Sequence, residues 1–182
     1  MNPLATWKIR ILAALLVIQP VMAGSDFDAV DGPNVRVMRH EDGSRAMFTR
    51  SPDSKTLTKK TFSANGVMTM LTVYKMDANQ NPLGGKIYDG QNNELFKVSY
   101  GYQKSTGLLV QEKMFDARTR RINPANGAEM PVQLVVYLYD AEGKRSAPII
   151  YNLLPGKTFE EVFGVKSSAL ETNPFKESGR KR

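Results

Sequence analysis

Four aspartates follow an aromatic or methionine residue where short β-rich runs end: Met76-Asp77, Tyr88-Asp89, Phe115-Asp116 and Tyr139-Asp140. Paired carboxylates are the one catalytic arrangement the composition leaves open. Gathered at one end of a meander, two of them would make the acid and base of a glycosidase, and several would offer oxygen ligands to calcium. That is the basis of an alternative reading as a carboxylate-dependent hydrolase acting on envelope polymers. The same residues have a cheaper use, because an Asp at a strand end accepts from backbone N–H groups further on and closes a turn. No Asp-x-Asp-x-Asp spacing occurs, so the turn role is expected and no catalytic, cofactor-binding or metal-binding residue is assigned.

Other chemistry lacks its residues. His40 is the only histidine, placed in Arg39-His40-Glu41-Asp42-Gly43, where it reads as a turn residue. There is no cysteine, which excludes thiolate nucleophiles, disulfides and cysteine metal sites. No Gly-x-Ser-x-Gly occurs, and Gly156-Lys157-Thr158 ends like a phosphate loop whose first glycine would fall at Tyr151. A non-enzymatic protein is expected.

Binding has more support. Tyr74, Tyr88, Tyr100, Tyr102, Tyr137 and Tyr139 lie in the β-rich runs, and of these Tyr100, Tyr102 and Tyr137 are the binding candidates on a sheet face. The single tryptophan, Trp7, lies in the leader, which lowers a sugar-platform reading. The second group of candidates is basic: Lys176, Arg180, Lys181 and Arg182 crowd the C-terminal end. Such a tail serves solubility, or weak contact with an anionic surface; no specific nucleic-acid partner is expected.

The elements that must position these residues follow from rhythm. Aromatic or methionine anchors at 62, 76, 88, 102 and 115 recur every 12 to 14 residues, each followed by turn formers such as Ala64-Asn65-Gly66, Gly90-Gln91-Asn92-Asn93 or Ser105-Thr106-Gly107. Alternation places Phe96, Val98, Tyr100 and Tyr102 on one side of a strand. In the next long run Val132, Leu134, Val136 and Leu138 face one way and a partly polar set the other, which predicts a strand covered on both faces. Strands are expected near 35–40, 45–50, 67–76, 84–89, 95–103, 108–116, 132–140 and 147–153. The fold class is all-β, an antiparallel meander closed as a sandwich or barrel, since an open sheet would leave an apolar face wet. One short C-terminal helical turn is expected where Thr158 and Glu161 match a capping box and Gly164 can end the turn.

Gly107-Leu-Leu-Val-Gln-Glu-Lys-Met-Phe-Asp116 and Tyr137-Leu-Tyr-Asp-Ala-Glu-Gly-Lys144 resemble the β-hairpin repeats of bacterial YD-repeat and MORN-variant proteins. The resemblance covers at most residues 62–151, is best at Tyr139-Asp140-Ala141-Glu142-Gly143-Lys144 and departs from the pattern at Arg118. It implies a secreted or surface-associated scaffold or binding module and carries no catalytic residue.

Export is read from the first residues. Lys8 and Arg10 precede the apolar run Ile11 to Ile18, and Val21-Met22-Ala23 offers small residues to signal peptidase, so residues 1–23 are expected to be a signal peptide cleaved after Ala23. Gln19 and Pro20 cut that run well below the ~20 apolar residues of a spanning helix. Removing Lys8 and Arg10 lowers the formal charge from +7 to +5. Residues 24–34 read as a loose acidic arm, 35–166 as one β domain, and 167–182 as a polar, basic, disordered tail. The chain is expected to be a bacterial, periplasmic or extracellular binding or structural module, its partner an unidentified envelope protein or polymer.

Overall fold

The structure, a computed structural model, describes residues 32–176. The signal-peptide reading, most of the acidic arm, and Arg180, Lys181 and Arg182 lie outside the described residues.

Among the described residues nine antiparallel strands form one sheet in simple sequence order: β1 (Val35–Arg39), β2 (Arg45–Arg50), β3 (Thr56–Phe62), β4 (Met68–Met76), β5 (Pro82–Asp89), β6 (Glu94–Tyr102), β7 (Leu109–Asp116), β8 (Gln133–Val136) and β9 (Ile149–Asn152). Eight correspond to expected strands, β8 and β9 being shorter. The ninth, β3, has the sequence TLTKKTF; its Lys59-Lys60 pair hides a strand built on β-branched threonines.

The sheet is open, with no pairing of β1 to β9, so the expected closure as a sandwich or barrel is corrected. Register explains how an open sheet avoids a wet core. Direct cross-strand partners share a face, and the pairs Phe48↔Lys59, Leu57↔Tyr74, Thr72↔Ile87, Ile87↔Phe96, Val98↔Met114 and Glu112↔Val135 define one buried inner face. What covers it is the C-terminal segment. Helix α1 (Phe159–Phe163) buries Phe159 edge-on to Phe96, ring centres 6.0 Å apart and planes at 74°. Val162, Phe163, Ala169, Leu170 and Phe175 continue the packing along the face. Residues 167–176, read from sequence as the start of a disordered tail, are therefore a strap over the sheet.

The outer face tolerates water because lysines alternate with its apolar residues. Lys60, Lys75, Lys86, Lys97 and Lys113 point outward, and the directly opposed Lys86 and Lys97 are relieved by Glu94 at 2.8 Å and Glu129 at 3.5 Å. Of the two sides that the sequence expects to be covered around β8, the one holding Val135 is fully buried, whereas Leu138, two residues beyond the strand with the opposite parity, is 55% exposed.

The helix starts as its sequence dictates. Thr158 accepts from Glu161 N–H while the Glu161 side chain accepts from Thr158 N–H, and Gly164 closes the helix in the left-handed region at φ 72°. A second glycine makes room on the inner face: Gly85 lies opposite Tyr74, and a Cβ there would stand 2.9 Å from the Val73 carbonyl oxygen.

Candidate functional site

The strap and the first four strands enclose a cleft of about 810 Å³. Its floor is the inner face near Ala46, Phe48, Met70 and Tyr74, and its roof is the chain from Val162 to Thr172. That volume falls within the ~300–1,000 Å³ common for small-molecule sites, and the mixture of an apolar lining with a few polar groups is the usual composition of one.

Lys59 is the charged group of the floor. It occupies an inward position of β3, half-buried, with its ammonium 5.8 Å from the centre of the Phe48 ring. Burial pulls its pKa below the ordinary lysine value of 10.5, against a smaller opposing pull from Glu171. Glu171 itself bonds Arg145 at 3.2 Å and is 81% exposed, so it does not neutralise Lys59 at contact. Two residues along the same strand, the Thr61 hydroxyl is shielded from solvent with no hydrogen-bond partner among the described residues. His40 stands at the rim, its backbone closing the β1–β2 turn with Ser44 and Gly43.

The strap that roofs the cleft is fastened by one buried carboxyl. Glu112 is fully buried, and its oxygens accept from Ser168 N–H at 3.1 Å, Ser167 Oγ at 2.7 Å, Tyr137 Oη at 3.0 Å and the Ser168 hydroxyl. Tyr74 and Tyr100 donate to the Ser168 carbonyl at 2.9 and 3.1 Å. At the far end Phe175 lies beneath the guanidinium groups of Arg36 and Arg50, at 5.4 and 4.7 Å.

Two of the three tyrosines singled out in the sequence are brought together, Tyr100 and Tyr137, but around the chain's own serines; they are 8% and 3% exposed. Tyr102 is apart from them, donating to the Pro82 carbonyl at 2.7 Å. Lys176 bonds the Asn81 side chain at 3.1 Å at the top of the sheet, away from the Lys59 floor. Sequence reasoning missed Lys59, Glu112 and the Ser167-Ser168 pair. One signal was present: Glu112 shares the inward parity of Met114, and a charged residue at a core position requires buried partners.

The four aspartates each serve a turn. Asp77 accepts from Asn79 and Asn81 N–H at 2.9 and 2.7 Å, Asp89 from Gln91 and Asn93 N–H at 2.9 and 2.8 Å, Asp116 from Arg118 N–H at 2.9 Å, and Asp140 from Lys144 N–H at 2.7 Å. Strand direction puts Asp77 and Asp140 at one end of the sheet and Asp89 and Asp116 at the other. The latter two end strands separated by β6, on the order of 10 Å apart by inter-strand spacing. A glycosidase pair needs one carboxyl held protonated by a raised pKa. Both of these are lowered instead, Asp89 by Asn93 and Asp116 by Arg118. Among the described residues no group of three or more histidine, aspartate or glutamate side chains is placed to hold a metal ion.

No family model matches the chain, and no curated protein matches it.

Proposed function

We propose that the protein is an exported, non-enzymatic binding module of the cell envelope or extracellular space, and that its ligand site is the cleft between the strap and strands β1–β4. The observation that carries this reading is the cleft itself: about 810 Å³ of largely apolar space lying over Lys59. Export rests on the leader-like residues 1–23, and the absence of a catalytic role on turn aspartates with lowered pKa values.

The test is binding of a neutral apolar fluorophore, N-phenyl-1-naphthylamine, to the purified chain. Saturable binding is expected, together with its loss in Ala46→Phe, which fills the floor of the cleft, while circular dichroism stays native. Binding that survives Ala46→Phe undiminished in a folded protein overturns the reading. A contact of the basic C-terminal residues with an anionic surface is a further part of the proposal. It predicts salt-sensitive retention on anionic vesicles that is lost when residues 177–182 are removed, and unaltered retention removes it.

A further inference from the structure

We infer that the cleft takes a single-chain amphiphile with a carboxylate head, the head seated on Lys59 and the hydrocarbon chain lying between the sheet and the strap. This rests on the cleft being the ligand site and names the chemistry that site selects.

Shape and charge argue together. The apolar residues of floor and roof, Phe48, Met70, Phe163 and Leu170 among them, come from different elements and face one another across the cleft. Phe48 and Met70 are themselves 2% and 8% exposed, so the gain comes from covering the hydrocarbon chain and the half-buried roof residues, at roughly 25 cal/mol per Å² of apolar surface removed from water. The polar demand is narrow. Lys59 brings one ammonium group into this lining with no carboxylate of the described residues within ion-pair distance, and Glu171, the acidic residue of the lining, is bonded to Arg145. An isolated cation in a partly dry site is costly unless paired, so the protein maintains an uncompensated charge where a ligand anion would neutralise it.

The number of donors selects the head group. One point-like ammonium matches the single charge of a monoanionic carboxylate. A phosphate dianion usually meets guanidinium forks or several backbone N–H groups, and the cleft floor presents neither at Lys59. Lys166, an exposed residue at the roof, adds attraction for anions entering. His40, Tyr74 and Glu171 are the remaining titratable groups of the lining; Tyr74 donates to the Ser168 carbonyl and Glu171 is tied to Arg145.

The deciding experiment is isothermal titration calorimetry of the full chain with dodecanoate, dodecan-1-ol and dodecyltrimethylammonium, repeated on Lys59→Met. Met keeps an unbranched side chain in the cleft and removes the charge. The expected result is a dissociation constant for dodecanoate at least tenfold lower than for dodecanol, no binding of the cation, and equal affinities for acid and alcohol in Lys59→Met. Acid and alcohol binding equally to the unaltered chain, or an acid preference that survives Lys59→Met, overturns the head-group assignment and leaves the cleft reading standing. Failure of both acid and alcohol to bind the unaltered chain, with the neutral fluorophore also failing, overturns the cleft itself.

Discussion

The backbone N–H of Ser168 donates to the buried Glu112 carboxyl at 3.1 Å across 56 residues of sequence, and this contact fastens the strap to the sheet. Around it Tyr74, Tyr100, Tyr137 and Ser167 complete a polar cluster inside an otherwise apolar face. Such a cluster is stable only if every member is satisfied, which makes its members sensitive to single substitutions.

Glu112→Ala is expected to destabilise the protein by about 3 kcal/mol, since Ser167, Ser168 and Tyr137 would lose their acceptor within a buried site. Urea denaturation measures the loss, and limited proteolysis should show new cleavage between residues 164 and 176. A midpoint within experimental error of the unaltered chain refutes the anchoring role.

Tyr100→Phe removes a hydroxyl that touches both the carbonyl and the side chain of Ser168. A cost of about 1 kcal/mol is expected. Combined with Glu112→Ala the costs should fall short of their sum, because both act through Ser168. Strict additivity in the double-mutant cycle means that they do not form one network.

The helix cap offers an independent test. Thr158→Ala should cost about 1 kcal/mol, whereas Phe159→Ala, which empties the ring stack on Phe96, should cost about 4 kcal/mol. Equal effects measured by thermal or urea unfolding contradict the view that α1 matters mainly as a plug.

Acid stability follows from the turns. Asp42, Asp53, Asp89 and Asp116 have pKa values below the ordinary 3.8, held there by Ser44, Ser51, Asn93 and Arg118 respectively. A depressed folded-state value stabilises fully above the ordinary one and is lost as pH falls through the folded value. Stability should therefore decline below about pH 4, and Asp89→Ala should flatten that decline when urea midpoints are compared between neutral and acid pH. An unchanged acid slope in Asp89→Ala rules out this turn as a contributor.

Export predicts a mature protein whose first residue is Gly24. Intact-mass measurement on envelope and external fractions of the host reads this directly. A chain retaining residues 1–23 in the cytoplasm contradicts it.

The local features were legible in the sequence and the long-range ones were not. Turn aspartates and the Thr158–Glu161 box are made of hydrogen bonds spanning two to four residues, so spacing alone reveals them. Alternation located most strands for the same reason. It could not say what covers their inner face, and the premise that an open sheet exposes apolar surface led to an expected closure that the strap makes unnecessary. Ser167 and Ser168 read as solvent-facing because serine carries no hydrophobic signal, and only the buried Glu112 gives them a structural use. The cleft joins Lys59 to Leu170, a juxtaposition that no local pattern encodes.

The strap has one more consequence, for the order in which the molecule is made. Phe48 is synthesised 122 residues before Leu170, a lag of roughly 6 to 24 seconds at ~5–20 residues per second. Through that interval the strands can pair, each with the neighbour just completed, while their inner surface has no cover. Nascent chains therefore pass through a stage that is architecturally nearly complete and adhesive. Synthesis of residues 159–176 ends that stage, which makes a stop codon that removes them far more damaging than the few residues lost would imply.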